Sequence, residues 1–269
     1  MTRHPVSLIA LSLITIGSTA AAQGEDRIER WRQNCERNGN YDRERSCEVR
    51  NYTIARPSEL VVDGRDNGSV SFYGSDRRDV EVVALIRADA PSESEAESLG
   101  RQVRIETGGG RIRADGPARV GRTSWSVSYH IYVPRQSNLE AETRNGGVSA
   151  EMVEGTMRFQ AVNGGISLDQ VGGDVRAETR NGGVHARLTG STWKGRGLDL
   201  RTTNGGVSLT IPRGYSARLE TGTTNGGMNI DFPVMVSGRI GRLIETQLGS
   251  GGPLVRAITT NGGVRITQR

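Results

Sequence analysis

The chain has 269 residues, a formal net charge of +5, 37 glycines and only 4% aromatic residues. Charges of both signs are mixed along it and no series of stacking aromatics accompanies the arginines, which excludes nucleic acid as a partner. The length suits one large domain or one elongated array.

At the N-terminus, Arg3 and His4 form a short basic start. Leu8 to Ile16 follow as an apolar run broken only by Ser12 and Thr15, and Ala20 and Ala22 fit a small-x-small cleavage site. This pattern predicts a signal peptide over 1–22 and a mature chain beginning at Gln23. The apolar run is too short to span a bilayer comfortably and lacks a basic stop-transfer flank. No transmembrane segment is therefore expected after cleavage, and the chain is expected in the periplasm, at the cell surface or outside the cell. No cysteine directly follows the apolar run, which argues against a lipid anchor.

Residues 23–52 read as a polar N-terminal cap with a short helix around Asp26 to Arg32. The chain's two cysteines, Cys35 and Cys47, fall here. In an oxidising compartment a disulfide between them is the expected state. Residues 53–135 read as irregular solenoid rungs, with Pro91 to Gly100 as an acidic, serine-rich loop (91–100). Ser124 to Val133 alternates as a strand and carries Trp125, Tyr129 and Tyr132.

The regular array spans 136–269. Asn-Gly-Gly recurs at Asn145, Asn163, Asn181, Asn204, Asn225 and Asn261, in steps of 18, 18, 23, 21 and 36 residues. The last step suggests a degenerate copy near Leu243. Upstream, Gly109 fits the asparagine position of the same frame, and Asn67-Gly-Ser-Val is a worn copy. Before each asparagine the apolar parity reads Leu139, Ala141, Thr143, then Met157, Phe159, Ala161, and so on to Val255, Ala257, Thr259. After it come Val148 and Ala150, Ile166 and Leu168, up to Val264 and Ile266. The other parity is polar, for example Glu140, Arg158, Arg176, Asp199, Glu220 and Arg256. Period-two alternation on both sides of a glycine turn means strands with one buried face.

A repeat this short buries its apolar side only by stacking on neighbours. Glycine is expected at the turn for its access to positive φ, and asparagine for its turn geometry and a side-chain ladder between rungs. The inward threonines are expected to find partners in the stack. Asn-Gly also marks hairpins, but every copy carries the same residues in the same order, as like-on-like stacking requires. The expected fold is all-β, a single-stranded β-solenoid or β-helix of stacked 18–23-residue repeats, with right-handed coiling.

Thr143-Arg-Asn-Gly-Gly-Val148, Thr179-Arg-Asn-Gly-Gly-Val184, Thr202-Thr-Asn-Gly-Gly-Val207, Thr223-Thr-Asn-Gly-Gly-Met228 and Thr259-Thr-Asn-Gly-Gly-Val264 resemble the units of the bacterial DUF4097 family of putative adhesins, over roughly residues 60–269. Ala161-Val-Asn-Gly-Gly-Ile166 departs only at the threonine. The resemblance implies a single-stranded β-helix in a surface or envelope setting, and it carries no catalytic residue onto this chain.

The residues themselves point away from chemistry. Glu142 and Glu178 share an outward column with Gln160 between them, which places them about 10 Å apart at the usual strand spacing, slightly beyond the geometry of inverting glycosidases. His130 and His185 each stand alone in a strand, without zinc-site spacing. Asp169 and Asp174 flank Gln170-Val-Gly-Gly without the nonapeptide series of a calcium β-roll. No nucleophile elbow or phosphate loop is present. Trp125, Tyr129, Tyr132 and Trp193 are candidates for a carbohydrate platform. Trp193 lies in the insertion that lengthens one repeat, so it is the candidate ligand contact. The expected function is a non-enzymatic, exported cell-envelope protein, an adhesin-like binding scaffold without cofactor or metal, with a glycan or an envelope protein as partner. The alternatives are a purely structural envelope component with protein partners and a polysaccharide-active β-helix enzyme.

Overall fold

The computed structural model describes residues 28–36, 43–233 and 242–269. The expected signal peptide over 1–22, its cleavage after Ala22, and the start of the predicted helix at Asp26 lie outside the described residues.

Helix α1 (28–36) is followed by β1 (Glu44–Ala55), β2 (Leu60–Asp63), β3 (Val70–Ser75), β4 (Asp79–Ala90), α2 (Glu93–Gln102), β5 (Arg104–Glu106), β6 (Arg111–Asp115) and β7 (Ser124–Pro134). The strands then come in pairs across Asn-Gly-Gly turns: β8 (Leu139–Thr143) with β9 (Val148–Glu151), β10 (Glu154–Ala161) with β11 (Ile166–Asp169), and β12 (Gly172–Asn181) with β13 (Val184–Arg187). β14 (Gly197–Asn204) with β15 (Val207–Ile211) and β16 (Ala217–Asn225) with β17 (Met228–Ile230) continue the series. β18 (Leu243–Leu248) stands alone before the final pair, β19 (Leu254–Asn261) and β20 (Val264–Gln268).

Each pair gives one strand to each of two ten-stranded sheets. Sheet I runs β1-β4-β7-β3-β9-β11-β13-β15-β20-β17, and sheet II runs β18-β16-β19-β14-β12-β10-β8-β2-β6-β5. Neighbouring repeats pair in parallel and like on like: Met157 lies beside Leu139 and Val175, and Ile166 beside Val148 and Val184. The architecture is all-β and solenoid-like, two sheets of repeating strand units. The inward parity fills the space between them. Leu139, Met157, Phe159, Val175, Leu198, Leu200, Leu219 and Val255 from sheet II are buried against Phe72, Val148, Ile166, Leu168, Leu209 and Ile266 from sheet I. Removing that apolar surface from water is the main stabilising term.

The rungs are not stacked in chain order. β2/β3 lies between β6/β7 and β8/β9, and the last rung, β19/β20, is threaded between β14/β15 and β16/β17. Thus the first and last complete rungs each sit one place in from an end. Charge explains the second exchange. Serial stacking would set Asp199 beside Glu220, and like charges on paired positions repel. The threaded strand puts Arg256 between them, its guanidinium 3.7 Å from Asp199 and 2.7 Å from Glu220.

Several sequence expectations are corrected. The copy near Leu243 is no rung: β18 runs antiparallel to β16 at the sheet edge. Gly109 is not an Asn-Gly-Gly position. It sits with Gly110 at positive φ in the turn between the antiparallel β5 and β6. The expected loop at 91–100 is the helix α2, because Ser92 caps it by accepting from the Glu95 N–H at 3.4 Å. Glu93 and Glu95 then occupy the first turn and Arg101 the last, complementing the helix dipole, while Ala96 and Leu99 are buried. The boundary placed at 52/53 falls inside β1, which pairs antiparallel with β4 along its whole length. α1 is fastened to β1 by the Cys35–Cys47 disulfide, with Cα atoms 6.2 Å apart. The Arg45 guanidinium, ion-paired to the buried Asp89 at 2.7 Å, also donates to the Cys35 carbonyl at 3.1 Å.

The reason for the turn glycines also differs from the expectation. Except for Gly262, at the edge of the region with φ +156, the first glycine of each Asn-Gly-Gly has no positive φ. What demands glycine is the closeness of stacked turns. A Cβ on Gly146, Gly164 or Gly205 would lie 1.9–2.0 Å from the carbonyl oxygen of Gly68, Gly146 or Gly182 on the adjoining rung.

Candidate functional site

The turns are joined by a continuous side-chain ladder. Asn145 donates its amide to the Oδ1 of Asn67, Asn163 to Asn145, Asn181 to Asn163, Asn204 to Asn181, Asn261 to Asn204 and Asn225 to Asn261, at 2.7–3.1 Å. The ladder follows the spatial order of the rungs, with Asn261 between Asn204 and Asn225. Each inward threonine donates not to another threonine but to a backbone carbonyl of the adjoining turn: Thr143 to Gly68, Thr179 to Gly164, Thr202 to Gly182, Thr259 to Gly205 and Thr223 to Gly262, at 2.7–2.8 Å. Ala161 occupies the same column beside Thr143 and Thr179 and has no hydroxyl. Ala161→Thr is expected to add the missing bond to the Gly146 carbonyl and raise stability by about 1 kcal/mol. Urea unfolding reads this, and a lower midpoint would mean the column has no room there.

This backbone and ladder framework leaves the two outer sheet faces to carry the chemistry. On sheet II a groove of about 510 Å³ is lined by Asp63, Glu142, Gln160 and Glu178 along one register line and by Arg144 and Arg180 beside it. Glu142 and Glu178 therefore do share a groove, each one strand from Gln160. Glu178 accepts from Arg176 at 2.9 Å, and Arg144 approaches Asp66 at 3.4 Å, so the groove is a surface of mixed charge.

On sheet I, Ser71, Ser149, Ser167, His185, Ser208 and Arg265 align strand by strand. Small residues flank this line. A trough of about 340 Å³ lined by Ser71, Gly147, Ser149, Gly165, Ser167 and His185 meets one of about 560 Å³ lined by His185, Gly206, Ser208, Asn229 and Arg265. At the N-terminal end of the same line, His130 stacks on Trp31 of α1 with ring centroids 3.7 Å apart, and its Nδ1 is 3.3 Å from the Tyr73 hydroxyl. Tyr132 stacks on Tyr73 at 5.1 Å. His130 and His185 thus lie on one line, four strands apart, with Ser71, Ser149 and Ser167 between them.

The remaining sequence candidates are accounted for by structure. Trp193 is buried, 4% exposed, and its indole N–H donates to the Gly173 carbonyl at 2.9 Å, so it offers no face to a ligand. The insertion that carries it folds back over the core. Asp174 pairs with Arg196 at 2.9 Å. Asp169 accepts from both arms of Arg187, which holds its carboxyl below the usual carboxylate range. Because the folded pKa is depressed, this pair stabilises the chain above the unfolded carboxylate pKa, and the contribution is lost as pH falls through the lower folded value. Arg187→Gln is expected to move the Asp169 pKa upward in a carboxyl NMR titration; an unchanged value would contradict the pairing. Among the described residues no group of three His, Cys, Asp or Glu side chains is placed to hold a metal ion, and no helix is long and apolar enough to cross a membrane.

Fold and faces together define an all-β repeat protein whose outer columns are displayed in register. No protein-family model and no curated protein sequence matches the chain. Among solved structures it is similar to a putative cell adhesion protein from Clostridium sporogenes, at TM-score 0.46 and 11% identity, over 84% of this chain and 100% of that one. It is also similar to a putative adhesin from Bacteroides fragilis, at TM-score 0.35 and 8% identity, over 83% and 97% of the two chains. A putative lipid binding protein from Parabacteroides distasonis aligns at TM-score 0.25 and 14% identity, over 86% and 98%. At this level of likeness none of them assigns a ligand or an activity.

Proposed function

We propose that the chain is a non-enzymatic, exported cell-envelope protein, an adhesin-like scaffold that binds an extended glycan along the sheet I trough. The observation that carries this reading is the line Ser71, Ser149, Ser167, His185, Ser208, in which small serine hydroxyls, interrupted once by the His185 ring, recur from rung to rung along one open trough. Strand spacing sets these donors about 4.8 Å apart, so a linear polymer meets the same chemistry several times and gains by multivalency without a deep pocket. The signal-like N-terminus supports export with cleavage after Ala22, and the Thr-x-Asn-Gly-Gly units support kinship with the DUF4097 adhesins. We take the coil to be right-handed, the sense that parallel strands joined by a crossover nearly always adopt.

The test is retention of the purified chain on immobilised envelope polysaccharides, with released fragments measured in parallel. The expected result is saturable retention without fragments, weakened by Ser167→Trp, which fills the trough. Retention indifferent to that substitution, or fragment release, would overturn the reading. Co-purification of one protein partner without glycan retention would establish the structural-component alternative instead.

A further inference from the structure

A separate cavity of about 460 Å³ lies at the first step of the asparagine ladder, between the turn after β2 and the connection from β6 to β7. Tyr129 contributes to its wall. That side chain is 1% exposed and its hydroxyl has no hydrogen-bond partner among the described residues. Burial pushes the hydroxyl's pKa up, so it stays a donor. A buried hydroxyl without a partner costs about 1–3 kcal/mol, and native structures leave few of them. Next to it the ladder ends. Asn67 accepts from Asn145, and among the described residues the next rung, β6/β7, offers its amide no ladder asparagine.

Three guanidinium groups line the wall. Arg65, Arg119 and Arg144 stand there with one carboxylate, Asp66, while Arg65 also pairs with Asp115 at 3.7 Å outside the lining. Arg65 is held at φ +51, in the left-handed region that non-glycine residues seldom occupy, and its guanidinium is fixed on the Ala114 carbonyl at 3.1 Å. Arg119 is exposed and forms no ion pair among the described residues. The exposed Arg144–Asp66 contact at 3.4 Å is weak enough to be displaced. Trp125 closes one side. Its indole N–H is satisfied by the Pro117 carbonyl at 2.8 Å, which leaves the ring as an apolar wall.

We propose that this cavity binds a carboxylated sugar residue, with Arg119 and Arg144 on the carboxylate, the Tyr129 hydroxyl and Asn67 amide donating to sugar oxygens, and Trp125 against a C–H face of the ring. The choice of a sugar rests on the binding-scaffold reading above, whereas the anion-and-donor chemistry stands on the cavity itself. Bidentate guanidinium contact with a carboxylate and aromatic contact with an apolar ring face are the ordinary means of such recognition.

The experiment is calorimetric titration of the whole chain with glucuronate, with glucose and with inorganic phosphate. Glucuronate is expected to bind, and glucose at least about tenfold more weakly, since it forfeits the charge-assisted bonds. Arg119→Ala is expected to weaken glucuronate about tenfold and Tyr129→Phe about fivefold. Tyr129→Phe keeps the ring and removes a buried polar atom, so it should fold at least as well as the parent, which circular dichroism verifies. No glucuronate binding, binding unchanged in both variants, or phosphate binding equally well and indifferently to Tyr129→Phe would each overturn the site. A chain that is retained on polysaccharide through the Ser167 trough yet ignores glucuronate loses this site and keeps the scaffold function; one that binds glucuronate but no polymer does the reverse.

Discussion

Gly164→Ala is expected to destabilise the chain by about 3 kcal/mol or more, in the range of severe overpacking. The new Cβ would sit 1.9 Å from the Gly146 carbonyl oxygen and 2.6 Å from its carbon, both of them backbone. No flexible side chain is there to yield. The turns must separate, which strains the Asn163–Asn145 amide bond of 2.8 Å and the parallel pairing of β11 with β9. Gly108→Ala is the control. Nothing lies within 4 Å of a Cβ there and its φ is not left-handed, so its effect should stay within about 0.5 kcal/mol. Urea midpoints for the two variants decide the matter. Equal midpoints would mean that the stacked turns do not approach as closely as described.

Removal of the last rung, by ending the chain after Gly252, is expected to cost more than about 5 kcal/mol, comparable to the total stability of an ordinary domain. In a stack that followed chain order this would trim one exposed end. Here it opens the interior. Val255, Ala257, Val264 and Ile266, all at most 2% exposed, are lost together. Each larger aliphatic side chain contributes about 1.5–3 kcal/mol by burial. β16 and β17 then lose their parallel partners and can close on β14 and β15 only by setting Glu220 beside Asp199. Hydrogen exchange should show residues 217–230 exchanging freely in the truncated chain, while β8 to β13 keep their protection. Protection that persists across 217–230 would show that the last rung is peripheral.

The repeat was legible because each copy must present the same inward residues to its neighbours. Thr143, Thr179, Thr202, Thr223 and Thr259 could be assigned to the core, and the asparagines to a ladder, from alternation alone. The rung order was not legible from the turn units. Thr202-Thr-Asn-Gly-Gly, Thr223-Thr-Asn-Gly-Gly and Thr259-Thr-Asn-Gly-Gly are chemically equivalent and build the same ladder in either sequence. The signal lay in the outward column, where Asp199 and Glu220 are consecutive copies of like charge and Arg256 is the only later copy able to separate them. The helix over Glu93–Gln102 was hidden by composition, since Pro91, the serines and Gly100 favour turns on average. Its cap, Ser92-Glu93-Ser94-Glu95, has the S-x-x-E spacing that marks a helix start.

The candidate sites divide in the same way. The groove through Glu142 and Glu178 followed from register, because both stand three residues before a ladder asparagine. Trp193 looked available because insertions in solenoids usually point outward, but a large ring beside Gly173 gains more by burial than by exposure. The cavity at Tyr129 depends on a long-range approach of the β6–β7 connection to the turn after β2, and no local pattern reports such a contact. Tyr129 itself alternates as an ordinary inward strand residue, and its hydroxyl, without a partner among the described residues, shows only in the folded chain.

The threading of the last rung is tested most directly by cysteine cross-linking on the outer face of sheet I. Ser208→Cys with Arg265→Cys places the two thiols on directly paired positions of β15 and β20, whereas Ser208→Cys with Asn229→Cys spans two strands with β20 between them. Under mild oxidation the first pair should close into a disulfide and the second should not. Closure of the second pair and failure of the first would place β17 against β15 and return the stack to simple chain order.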